Sequence, residues 1–139
     1  MFFKIFIFIL FFIKSSYAHE LRPAIVNLNI YEKDNIINAK LSIQLNLEAI
    51  IAGIETKHSN TEKSEKSEEY NDLRRMNPVI LLNQFNSKIK NFGNKINLTS
   101  NISNLDLALI SVVIPEVGNT DIIRDTIVTF DIQNIKEER

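Results

Sequence analysis

The sequence has no cysteine and no tryptophan, and only three glycines and three prolines among 139 residues. The lack of cysteine excludes a disulfide, a thiolate metal site, a cysteine nucleophile, an iron–sulfur cluster and a lipid-bearing cysteine. The fold must then rest on its apolar core alone. Gly53, Gly93 and Gly118 stand far apart, so no glycine-rich loop is present to cradle a phosphate. No Gly-x-Ser-x-Gly occurs, and only two histidines are available to any triad. An excess of charge of one sign is also missing, with 16 basic residues against 17 acidic ones. That balance does not supply the basic face that nucleic acid requires. The longest uninterrupted apolar stretches are too short for a membrane helix, which needs about 20 residues.

The first of those stretches has a different meaning. Met1-Phe-Phe-Lys4 gives a positive start, Ile5–Ile13 is an apolar run of nine, and Ser16 and Ala18 are small residues two apart. This is the layout of an export signal cleaved after Ala18. We therefore expect residues 1–18 to be a signal peptide, 19–135 a single extracytoplasmic domain and 136–139 a polar tail. Cleavage leaves 121 residues, with 14 basic against 17 acidic and a net charge of −3. That length suits one domain with one modest core. The expected location is the periplasm, or the extracytoplasmic side of a bacterium, with no membrane span after signal cleavage.

Periodicity then divides the chain. Residues 24–31 alternate apolar and polar from Val26 onward, as a half-buried strand does. After a polar turn at Glu32–Asn35, residues 37–47 alternate without a fault. Ile37, Ala39, Leu41, Ile43, Leu45 and Leu47 face one way, which predicts an antiparallel hairpin with one wet face. The period shifts to helical at Leu47, Ile50, Ile51 and Ile54, with Asn46 to cap the start and Gly53 the end. Residues 55–69 contain no apolar side chain and read as a solvated loop. Ser67 is placed to cap a second helix ending at Arg74-Arg75. Asn77-Pro78 opens a third, with Leu82, Phe85, Ile89 and Phe92 as its stripe and Gly93 as its stop. Ile96 and Leu98 predict the start of a strand, Leu105–Ile114 a strand buried on both faces, and Thr126–Ile132 another. The predicted fold is mainly β (α+β), a small antiparallel sheet or sandwich with a two- to three-helix insertion between strands 2 and 3.

The candidate functional residues are few. Asp121 and Asp125 flank Arg124, and as loop residues they read as a solvated face. Glu62, Glu65, Glu68 and Glu69 could gather around a cation, but Lys57, Lys63 and Lys66 would repel it. Asn97-Leu-Thr99 and Asn101-Ile-Ser103 match the glycosylation pattern, which chance supplies readily in an asparagine-rich chain. The histidines carry more. Cleavage would leave His19 as the first residue, offering its α-amino group and its imidazole together. His58 could add a third nitrogen from the polar loop. Nitrogen donors in a plane suit Cu(II) or Ni(II), so His19 and His58 are the candidate metal residues.

Ala18-His-Glu-Leu-Arg-Pro-Ala24 resembles the opening of the mature chain in HupE/UreJ-like bacterial membrane proteins. Asn46-Leu-Glu-Ala-Ile-Ile-Ala-Gly-Ile54, His58-Ser-Asn-Thr61 and Tyr70-Asn-Asp-Leu-Arg74 resemble the rest of their extracytoplasmic N-terminal domain. The resemblance implies an association with hydrogenase and urease maturation and with nickel, chiefly through the family's transmembrane part. This chain reaches Arg139 without that part, so transport is not carried over. The expected function is an extracytoplasmic accessory or binding domain, handling a metal such as Ni(II) or Cu(II) for an integral membrane protein partner. The alternative is a non-catalytic structural or interaction domain, a remnant or fragment of a larger membrane protein. Neither reading is enzymatic.

Overall fold

A computed structural model describes residues 22–54, 61, 64–99, 104–133 and 135. Four strands form one antiparallel sheet: β1 (Ile25–Lys33), β2 (Ile36–Asn46), β3 (Asp106–Val113) and β4 (Asp125–Gln133), in the order β1-β2-β4-β3. Between β2 and β3 lie α1 (Leu47–Ala52), α2 (Ser67–Arg75) and α3 (Pro78–Gly93). The predicted helical insertion is therefore present, on a single sheet rather than a sandwich.

The β1–β2 hairpin closes on Asp34 and Asn35, both at positive φ (55° and 59°). That is the type I′ turn, whose twist matches the flanking strands and which asparagine and aspartate tolerate. The alternation of β2 then sends Ala39, Leu41, Ile43 and Leu45 into the core. Val128, Phe130 and Ile132 of β4 join them from the next strand. The opposite face of β2 stays wet, with Lys40 over the Tyr31 ring and the Ser42 and Thr129 hydroxyls 3.4 Å apart.

Helix boundaries follow their caps. The Asn46 side-chain oxygen accepts from the Ala49 N–H at 3.1 Å and opens α1. Gly53 closes it at φ +75°, its N–H donating to Ile50 O while Ile54 N–H donates to Ala49 O. This is a Schellman end, and glycine takes that φ with no Cβ penalty. Lys88 of α3 donates to Ile51 O at 2.6 Å and so ties α3 to the end of α1. Asn77 caps α3 through the Ile80 N–H at 2.9 Å, with Pro78 in the first turn. Leu81 and Phe85 of α3 are fully buried, with Ile89 and Phe92 packed beside them. Phe92 bridges Phe85 edge-on and Phe130 in a stack, at 5.6 and 6.4 Å, which seats α3 on β4.

Several expectations are corrected. The α3 stripe runs through Leu81, which is fully buried, rather than Leu82, which is half-buried; both fit one helical arc with 85, 89 and 92, so spacing alone does not separate them. Ser67 is the first residue of α2 and not its cap. Ile96 and Leu98 form no named strand; they lead into an isolated bridge, Thr99 to Asn104. β3 is not buried on both faces. It is an edge strand with a register shift between Leu109 and Ser111, and Leu109, Ile110 and Val113 are exposed. The polar 55–69 segment is not wholly solvated either, since Thr61 and Ser64 are buried. β1 departs furthest from a half-buried strand. Its alternation holds, yet Val26, Leu28 and Ile30 are all exposed, because among the described residues β1 packs chiefly on β2.

Candidate functional site

Glu48 is the single charge in the apolar helix Leu47-Glu-Ala-Ile-Ile-Ala52, and it is fully buried. An ionised carboxylate at such a position requires a partner. Arg124 supplies it: Nε donates to Glu48 Oε1 at 2.7 Å, with both side chains at most 8% exposed. Three further guanidinium bonds go to backbone carbonyls. Nη1 donates to Met76 O at 3.0 Å and Pro115 O at 3.4 Å, and Nη2 to Leu73 O at 3.4 Å. Leu73 and Met76 lie at the end of α2, where a cation is favoured by the helix dipole.

A second buried arginine works beside it. Arg74 lies over the Tyr70 ring at 5.3 Å and donates through Nη2 to Ile122 O at 3.0 Å. The Tyr70 hydroxyl accepts from Asn46 Nδ2 at 2.8 Å, which joins α2 to the start of α1. Burial raises the Tyr70 pKa above the usual value of 10.0, because the phenolate would lose its water; the Asn46 bond and the Arg74 charge oppose that shift, and Glu48 adds to it. Glu48 Oε2 and Thr126 Oγ1 are buried and have no hydrogen-bond partner among the described residues.

Together these bonds hold the connection from β3 to β4 at both ends. Pro115 O is gripped by Arg124, and Ile122 O by Arg74. Within the connection, Asn119 closes its own turn: its side chain accepts from Asp121 N–H and its carbonyl from Ile122 N–H. Val117 and Ile122 are exposed on this pinned loop, and Met76 leads into exposed Val79 and Ile80 at the same end of the molecule. The Glu48–Arg124 pair is buried beneath this loop. Its effect is to fix the surface above it.

The sequence singled out Asp121 and Asp125 as solvated and passed over Arg124 between them. Asp121 is exposed and Asp125 half-buried, while Arg124 carries the cluster. The lone glutamate amid apolar residues at 47–52 was the available signal for Glu48. His19 and His58 lie outside the described residues, and so do Glu62, Asn101–Ser103 and residues 1–18, the stretch with the layout of an export signal. Among the described residues, no group of three or more His, Cys, Asp or Glu side chains could hold a metal ion. Nor is any helix of the described residues long and apolar enough to cross a membrane.

A groove of about 480 Å³ runs between the end of α3 and β3, lined mainly by Ile89, Ile96, Leu107 and Phe130. Asp106 also lines it. Comparison with protein-family models, with curated proteins and with solved structures finds no match.

Proposed function

We propose that the chain is a non-enzymatic accessory domain outside the cytoplasm, binding an integral membrane protein partner through the pinned 115–124 loop. The supporting observation is that two buried arginines are committed to the carbonyls of a surface connection that exposes Val117 and Ile122. Ordering a loop in advance lowers the entropy lost on binding, at about 0.5–1.5 kcal/mol for each side chain held. Exposed aliphatic side chains on a rigid frame are the kind of anchor that protein partners bury. A photoreactive residue at Ile122, introduced in cells that export the protein, tests this. The expected product is an adduct in the membrane fraction that resists alkaline extraction, with no such adduct from Lys40 on the polar sheet face. Adducts confined to soluble proteins, or equal yields from both sites, would refute it.

A second reading rests on the order Ser16-Tyr-Ala18-His19, which places a histidine at the cleaved amino terminus. The α-amino group and imidazole of His19, with His58 as a further donor, would chelate Cu(II) or Ni(II) on behalf of that partner. Reference pKa values of about 7.7–8.0 and 6.5 let both His19 nitrogens deprotonate near neutrality, so binding should weaken below about pH 6. Copper and nickel titrations of the processed protein, a form with one glycine ahead of His19, and His58→Ala test it. The glycine should weaken binding most. Equal affinity in all three would end this reading.

A further inference from the structure

The two edges of the sheet are built differently. β3 is interrupted by its register shift at Leu109/Ser111, which twists an edge away from partners. β1 has no such device. Its register against β2 is unbroken, and Ile25–Tyr31 contains no charge and no proline. Val26, Leu28 and Ile30 form an exposed apolar row along it. An edge strand of this kind is a template for pairing with another strand.

We propose that β1 pairs antiparallel with β1 of a second copy about a two-fold axis at Leu28, joining two four-stranded sheets into one. This surface is the outer edge of β1; its start, at Arg22–Ile25, lies beside Ile123 of the 115–124 loop. The turn fixes which backbone groups are available. In a type I′ hairpin the flanking residues, Lys33 and Ile36, are a hydrogen-bonded pair. Alternation then directs Ile25, Asn27, Asn29 and Tyr31 toward β2, and leaves the N–H and C=O groups of Val26, Leu28, Ile30 and Glu32 facing outward.

A two-fold axis normal to the sheet keeps each face on its own side, so opposed residues must share a face. With the axis at Leu28, Leu28 meets its own copy and Val26 meets Ile30. On the other face, Ile25 meets Tyr31 and Asn27 meets Asn29. Every pair within Ile25–Tyr31 then matches in kind. A shift by one pair in one direction sets Val26 against Glu32. In the other direction it sets Tyr31 against Pro23. The strand ends agree with the central register. Arg22 precedes β1, while Glu32 and Asp34 lie at its far end. Antiparallel pairing brings Arg22 of each copy to the acidic end of the other.

The absence of cysteine makes the test clean. Sedimentation equilibrium of the natively processed protein should give twice the chain mass. Leu28→Cys should cross-link to itself on oxidation, since hydrogen-bonded pairs stand about 5.5 Å apart at Cα, within disulfide reach. Val26→Cys and Ile30→Cys should link to each other when mixed, far faster than either links to itself. Leu28→Lys should keep the wild-type circular dichroism and fall to monomer mass. A monomer up to the highest soluble concentration would overturn the proposal. So would a Leu28→Lys dimer, or cross-linking at Val113→Cys on the β3 edge in place of Leu28→Cys.

Discussion

Val26 and Ile43 stand opposite each other on one face of the β1–β2 ladder, yet Val26 is 59% exposed and Ile43 only 6%. The same contrast runs along both strands. Leu28 and Ile30 are open beside buried Leu41 and Ala39. Alternation decides which side of a sheet a residue faces. Whether that side is covered depends on where the helices lie, and here α1 and α3 pack over β2 and β4. A fully buried aliphatic side chain contributes about 1.5–3 kcal/mol. The β2 row therefore carries stability that the β1 row does not, and the β1 row is free for association.

Substitutions should separate the two rows. The largest effect is expected from Ile43→Asp, which buries an unpaired charge. That costs several kcal/mol against a total stability of about 5–15. The variant should be largely unfolded by circular dichroism; a wild-type melt would mean the core face is inverted. Next is Arg124→Met, which leaves Glu48 buried without a counter-charge and should cost about 3–5 kcal/mol in urea denaturation. Adding Glu48→Met should recover most of that loss if the pair serves to position the loop rather than to stabilise the fold.

A smaller effect is tied to pH. Because the folded pKa of Tyr70 is raised, its contribution is complete below about pH 10, where both states keep the proton. Above that the unfolded chain releases the proton first. Stability should then fall by up to about 1.36 kcal/mol per pH unit until the folded pKa is reached. Tyr70→Phe, compared with wild type over the same range, should lose that component of the slope. The smallest effect is expected at β1: Val26→Thr should shift the monomer's stability by no more than about 0.5 kcal/mol.

Local signals were legible where a single residue type settles the geometry. Asn46, Gly53, Asn77 and Pro78 mark helix ends through caps that depend on their own chemistry. The alternation at 37–47 marks β2, whose row is buried from Ala39 to Leu45 while Ile37 at its start is exposed. β1 and β3 were read as more buried than they are, since edge position comes from strand order, which no local pattern encodes. The Glu48–Arg124 pair spans 76 residues. Each member alone resembles an ordinary surface charge, and only the fold brings them together.

The central claim is that two rows of identical pattern differ in cover. Methyl-labelled protein, held where sedimentation shows a monomer and titrated with a soluble paramagnetic probe, measures this without any substitution. The account predicts strong broadening of the Val26, Leu28 and Ile30 methyls and near-silence from Leu41, Ile43 and Val128. Equal protection of both rows would contradict it.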